Sequence, residues 1–318
     1  MNGRIVALAG GVGGAKLAHG LAAACGDRLT VIVNTGDDFE HLGLYLSPDL
    51  DTVMYTLGNI ANPETGWGIA GESWNFLDHV RRLGGPAWFR LGDRDLATHV
   101  LRTQALRDGK SLTDVTARLC APLGIASRIL PMTDDTVRTI VHTTEGPLAF
   151  QEYFVGRQCD IAVNGFEFAG IETARPSPSV TAALDDADLA AILLCPSNPF
   201  VSIDPILAVA GLRHRLRSCR CPVIGVSPII GGAAVKGPAA RMLRDLGFEV
   251  SALAVAERYG DILDGFVIDT ADAALAPDIA ALGVKVEVAR TLMTSCADRR
   301  ALAEVCLAFA RRLGGRAV

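Results

Sequence analysis

The chain opens on a run of apolar residues, Arg4-Ile5-Val6-Ala7-Leu8-Ala9, with no polar position alternating through it. A strand apolar on both faces is buried on both, as in a parallel sheet covered by helices. Glycines end the run and residues 16–24 then have helix-forming composition, so the chain starts as strand, loop and helix. A second run, Leu29-Thr30-Val31-Ile32-Val33, places residues 34–38 just past a strand's carboxyl end, the edge where open α/β sheets bind ligands. Residues 51–131 carry a mainly helical pattern, with an amphipathic stretch at 96–107 and a capping box at Ser111-Leu112-Thr113-Asp114, and predict a helical insertion or lid. Residues 137–155 turn β-branched and aromatic around Glu145-Gly146-Pro147 and predict a hairpin. Buried-type strands resume at 189–194, leading into Cys195-Pro196-Ser197-Asn198-Pro199, and at 222–226, leading into Ser227-Pro228-Ile229-Ile230-Gly231-Gly232. Two more are expected around Phe248-Glu249-Val250 and Phe266-Val267-Ile268-Asp269. The pattern predicts one α/β domain over residues 1–318, Rossmann-like, with a mostly parallel sheet, helices on both faces and the helical insertion within it.

Composition narrows the function classes. With 318 residues, 50% hydrophobic and 20% charged, the chain buries a large core and is not disordered. A net charge of −5 and a pI near 5.7 give no basic field for DNA or RNA, which leaves small molecules as the expected ligands. The eight cysteines contain no CxxC pair, so neither a zinc ribbon nor a disulfide scaffold is expected, and Cys219 and Cys221 look incidental. There is no long apolar run and no basic-then-apolar leader after Met1, so cytoplasmic residence without a membrane span is expected.

The chemistry concentrates in two short stretches. Gly10-Gly11-Val12-Gly13-Gly14-Ala15-Lys16 follows the first strand and opens a helix, where glycines allow positive φ and peptide N–H groups face an anion. Asn34-Thr35-Gly36-Asp37-Asp38 and Ser47-Pro48-Asp49-Leu50-Asp51-Thr52 supply carboxylates, which would repel a phosphate unless a divalent cation lay between them. The turn is not the dinucleotide fingerprint, whose sixth position is Lys16 here, and it is not a Walker A loop, because Ala15-Lys16-Leu17 stands in place of Gly-Lys-Ser/Thr. Asn34 also stands where a ribose-binding acid would be. Asp49 suits two roles, helix N-cap or ligand. Arg94, between Asp93 and Asp95, suits a local ion pair, and His99, one helical turn beyond Asp95, suits pairing with it.

These pieces, with Leu91-Gly92-Asp93-Arg94-Asp95-Leu96-Ala97-Thr98-His99, Pro196-Ser197-Asn198-Pro199, Ser227-Pro228-Ile229-Ile230-Gly231 and Leu292-Met293-Thr294, run in order across nearly the whole chain. Together they resemble the 2-phospho-L-lactate transferases of coenzyme F420 biosynthesis. The resemblance implies an enzyme that moves a phosphorylated three-carbon acid from a guanosine diphosphate-type donor to the ribityl hydroxyl of the deazaflavin Fo, releasing GMP. Family members differ in whether that acid is phospholactate, phosphoenolpyruvate or phosphoglycerate. By resemblance, Asp51 and Arg90 contact Fo or the reacting group, Asp37 and Asp51 hold Mg²⁺, and Ser197 and Asn198 form the guanine corner. The same resemblance extends substrate contact to Gly10, Gly11, Val12, Gly13, Gly14, Thr52, Asp93, Arg94, His99 and Ser227, and implies a homodimer. Trp67 and Trp74 are candidates to stack on the deazaflavin or simply to pack. Asp51→Asn is expected to abolish turnover and leave the fold intact. The rival is a nucleotide-sugar-binding regulatory protein of the related fold without transferase activity; an NAD-dependent oxidoreductase is disfavoured by the glycine spacing.

Overall fold

A computed structural model describes residues 3–315; Met1 and Asn2, the expected lead-in to the first strand, lie outside them. Seven strands make the central sheet: β1 (Arg4–Ala9), β2 (Leu29–Val33), β3 (Arg128–Pro131), β4 (Leu189–Leu194), β5 (Val223–Val226), β6 (Gly265–Asp269) and β7 (Lys285–Ala289). Every pairing is parallel, in the order β3-β2-β1-β4-β5-β6-β7. This is a doubly wound order whose direction reverses between β1 and β4, and such a switch point opens a crevice beyond the strands' carboxyl ends.

The apolar run of β1 divides between two cores. Ile5, Ala7 and Ala9 face Leu17 and Leu21 of α1 (Gly11–Cys25), Val53 of α2 (Pro48–Leu57) and Ala303 and Leu307 of the helix Cys296–Leu313. Val6 and Leu8 face the opposite side with Ile32, Val141, Phe200 and Met242. Full burial of one such side chain is worth roughly 1.5–3 kcal/mol, so the sheet's centre is the anchor of the molecule. Small residues let α1 approach the helix Cys296–Leu313: a Cβ on Gly20 would overlap the Arg299 carbonyl.

The segment 51–131 contains most of α2 together with α3 (Asn75–Arg82), α4 (Asp93–Arg107) and α5 (Leu112–Cys120). Ser111 caps α5 by accepting from the Asp114 N–H at 3.0 Å, one of the two bonds of the capping box its motif predicts. The segment ends differently from expectation, since Arg128–Pro131 is the sheet's edge strand β3 and not helix. The hairpin forms from Arg138–Thr143 and Gly146–Ala149, and Val163–Ala169 joins it as a third antiparallel strand.

One strand expectation needs correction, and one edge strand was not expected. Phe248-Glu249-Val250 is loop, bounded by Gly247 at φ +79 and by Ser251, which caps the next helix, so the segment is spent on a helix-to-helix turn. The strand that does follow is β6, as expected from Phe266-Val267-Ile268-Asp269; the unexpected one is β7, Lys285-Val286-Glu287-Val288-Ala289, which lies on the sheet's edge. Among the described residues, no helix is long and apolar enough to cross a membrane.

Candidate active site

The glycine turn sits at the switch point. Gly11 takes φ +60, a left-handed conformation that a side chain disfavours. A Cβ on Gly13 would overlap the Pro196 carbonyl and one on Gly14 would overlap Ser197 Oγ, so the loop after β4 rests directly on the turn. Ser197 Oγ locks the two together, donating to the Gly10 carbonyl at 2.9 Å and accepting from its N–H at 3.1 Å. Gly10, Gly11, Val12, Gly13 and Lys16 open onto a cavity of about 770 Å³, while Gly14 lies behind them.

Asp49 is already at this helix end. Its Oδ1 accepts from the Gly11 N–H at 2.7 Å and its Oδ2 from Asn34 Nδ2 at 2.9 Å. Ser47, not Asp49, occupies the N-cap position of α2, so Asp49 uses its carboxylate to tie three loops together. Asp37 and Asp38 are buried beside it. Burial first, and then the charge of Asp49, push the Asp37 carboxyl well above the usual range. Burial also raises Asp38 to about 7, against hydrogen bonds from Ser47 and Tyr45, and raises Asp49 to about 6. One buried oxygen on each of Asp37 and Asp38 lacks a hydrogen-bond partner. Crowded carboxylates with an unpaired buried oxygen fit a hard divalent cation, and Asp37 and Asp49 both face the cavity.

Asp51 belongs to a second cluster. Arg102 of α4, 1% exposed, donates Nη1 to Asp51 Oδ2 at 3.0 Å and Nη2 to Oδ1 in a bidentate pair. Burial works to discharge Arg102, and Asp51's carboxylate outweighs it, holding the guanidinium charged. His99, one turn before Arg102, places Nδ1 3.7 Å from Asp51 Oδ2 and Nε2 3.3 Å from Asp95 Oδ1. Tyr55 donates to that same Asp95 oxygen at 2.5 Å. Donor atoms of Asp51, Asp95 and His99 lie within 4.8 Å of one another, and all three residues line the cavity.

The cavity also has an aromatic lining, Trp88, Phe89, Phe150 and Phe154, with Trp67 and Arg90. Phe150 and Phe154 stack at 5.4 Å, and Trp88 meets Phe89 edge-on at 5.7 Å. Arg90 holds its guanidinium 4.3 Å over the Trp74 ring.

Residues 5–294 match the protein family described as 2-phospho-L-lactate transferase CofD. The chain belongs to the 2-phospho-L-lactate transferase family. It is 46% identical over 318 residues to a phosphoenolpyruvate transferase of Kitasatospora aureofaciens, covering 98% of each chain. It is 40% identical over 302 residues to a 2-phospho-L-lactate transferase of Methanosarcina mazei, covering 95% of this chain and 98% of that one. Among solved structures it is similar to a UPF0052-family protein from Bacillus halodurans, with a TM-score of 0.60 at 12% identity, covering 96% of this chain and 99% of the other. At that identity the likeness shows the shared fold alone.

In this 2-phospho-L-lactate transferase family member the cavity gathers Asp37, Asp51, Thr52, Arg90, His99, Ser197, Asn198 and Ser227 with the front of the glycine turn. It leaves out Asp93 and Arg94. Asp93 accepts from the N–H groups of Asn75 and Phe76 at 3.1 and 3.0 Å and from Ser73, capping α3, and these bonds hold its carboxyl down to about 2. Arg94 forms no ion pair with its neighbours; its Nη1 donates to the Ala70 carbonyl at 2.8 Å. Several polar groups at the site also serve the fold. Asn198 Oδ1 accepts from the Phe200 N–H at 3.0 Å, leaving Nδ2 beside Met242 Sδ, and Ser227 Oγ both donates to and accepts from Ile229. Of the two tryptophans singled out in the sequence, Trp67 faces the cavity and Trp74 supports Arg90. Sequence reasoning missed Trp88, Phe89, Phe150 and Phe154; the one available signal was Trp88-Phe89 immediately before Arg90.

Proposed function

We propose that this transferase moves a phosphorylated three-carbon acid from a guanosine diphosphate-type donor to the ribityl hydroxyl of Fo, giving a phosphodiester and GMP, in the cytoplasm and as a homodimer. The observation that carries the reading is a single cavity lined together by an anion-binding glycine turn, buried carboxylates and four aromatic rings. Of the acids the family handles, phosphoenolpyruvate is the one named for the relative of higher identity above.

The remaining N–H groups of the turn, those of Val12 and Gly13, and Lys16 would receive the donor's diphosphate. Asp37 and Asp49 would hold Mg²⁺, which when bound neutralises charge on the diphosphate. Asp51, expected as a metal ligand, is better fitted to the acceptor, because Arg102 already balances its charge and fixes its plane. Its carboxylate would accept the hydrogen bond of the ribityl hydroxyl and aim it in line, while Arg90 steadies the developing charge. The hydroxyl oxygen bonds to the phosphorus that carries the acid as its proton leaves by way of Asp51 to solvent, the bond from that phosphorus to the bridging oxygen breaks, and GMP departs with the bridging oxygen. The aromatic rings of the lining would grip the deazaflavin by stacking and exclude water from this step.

Fluorescence titration of the purified chain with Fo, with and without Mg²⁺ and GDP, tests the acceptor directly. Turnover with Fo, the guanylyl anhydride of phosphoenolpyruvate and Mg²⁺, followed by mass spectrometry, tests the reaction. Saturable micromolar Fo binding and a phosphodiester product are expected. Absence of both, with binding of a UDP-sugar instead, would transfer the protein to the regulatory class.

A further inference from the structure

A smaller cavity of about 240 Å³ lies beside the main one, and Val12, Lys16 and Lys236 belong to the walls of both. Three cations from distant parts of the chain converge on it: Lys16 from the second turn of α1, Lys236 from the loop after residues 229–234, and Arg299 from the first turn of the helix Cys296–Leu313. Burial, then Arg299, then Lys236 hold the Lys16 ammonium below the ordinary lysine range, so the three charges feel one another. No ion pair among the described residues engages any of them. Lys16 Nζ donates to the Met293 carbonyl at 2.9 Å, Lys236 Nζ donates to the Thr65 carbonyl, and Arg299 Nε is buried with no partner. Glu64 is the single acidic residue in the lining, against three cations. Like charges gathered in a recess cost stability unless an anion joins them.

We propose that this side chamber binds the carboxylate of the transferred three-carbon acid, an inference that rests on the donor chemistry assigned above. Such a donor carries two kinds of anion. Its diphosphate has the glycine turn. Its carboxylate is attached to the carbon bearing the phosphoester oxygen, so a second anion site must open within a few bonds of the first. The chamber meets that condition because Lys16 and Val12 form the boundary between the two spaces. It is too small for a nucleoside or a deazaflavin and has room for a short carboxylic acid. Lysine and arginine together also match a carboxylate's two oxygens. Phosphoenolpyruvate and 2-phospho-L-lactate share this carboxylate, so the chamber serves recognition of the acid class and leaves the choice between the two to other contacts.

The test compares two probes by isothermal titration calorimetry in the presence of Mg²⁺: GDP, which has the diphosphate and no carboxylate, and the guanylyl anhydride of phosphoenolpyruvate, which has both. Lys236→Met and Arg299→Met are each expected to weaken the anhydride by about tenfold or more while leaving GDP within about twofold. Lys236 is exposed, so its variant keeps the fold; a thermal melt checks Arg299→Met. Equal weakening of both probes would make the cluster a phosphate site, and no weakening of either would leave it without a ligand; each outcome overturns the proposal. A wild-type chain that binds neither nucleotide sinks the donor assignment itself, which separates that failure from failure of the chamber.

Discussion

Arg102 and Asp51 form the pair on which the site's residue-scale behaviour turns. Removing the carboxylate strands a guanidinium that is 1% exposed, and an uncompensated buried charge of this kind costs about 3–5 kcal/mol. Asp51→Asn is therefore expected to lose turnover and also to melt well below the wild type, contrary to the sequence-based expectation of an intact fold. Asp51→Asn combined with Arg102→Met should recover most of the stability and none of the activity, as seen by circular dichroism melts beside the product assay. A single variant melting with the wild type would mean that the pair contributes nothing to the fold. Asp51 was legible because its acidic motif sits at a helix start. Arg102 was not, because its partner lies 51 residues away and nothing local announces it.

At the level of elements, the turn after β1 was legible in chemistry and in place, while its tightness was not. Gly13 faces the Pro196 carbonyl, a backbone group that cannot swing aside. Gly13→Ala is thus expected to cost about 1–3 kcal/mol through backbone displacement and to weaken GDP by tenfold or more, measured by melts and calorimetry. A variant indistinguishable from wild type would show that the loop after β4 yields freely. Helix α4 teaches the opposite lesson. Its sequence over 96–107 reads as amphipathic, and an amphipathic helix ordinarily turns its apolar face inward. Instead Val100 and Leu101 are exposed, and His99, Arg102 and Thr103 are buried. The helix turns a mixed face inward, Ala105 and Leu106 beside the partners of Asp51, with His99 reaching the cavity, and periodicity alone assigns no direction when the interior is a functional site. The edge strands β3 and β7 escaped for a plainer reason: short or alternating segments lack the continuous apolar run that marked β1, β2 and β4.

Across the whole molecule, the doubly wound plan followed from runs of buried strands, and the strand order then located the crevice without reference to any motif. The buried acids add a pH dependence. Asp37, Asp38 and Asp49 hold protons more tightly folded than unfolded, the last two up to about 7 and about 6. An unfolded chain releases those protons near pH 4, so between about pH 4 and 7 the folded form binds more of them and stability falls as pH rises. The metal-free protein should melt lower at pH 8 than at pH 5 from this source, and millimolar Mg²⁺ should restore more stability at pH 8, where it meets ionised carboxylates. An equal Mg²⁺ effect at both values would count against metal binding by these acids.

The lock between Gly10 and Ser197 spans 187 residues of chain. On a ribosome, β1 emerges well before β4, and one flank of it stays open until β4 and the loop behind it have been synthesised. Until then the nascent chain exposes an apolar strand edge, the kind of surface that chaperones cover and that other chains pair with. Closing the site and burying that edge are one event, so a truncated or stalled chain lacks the activity and carries the aggregation hazard together.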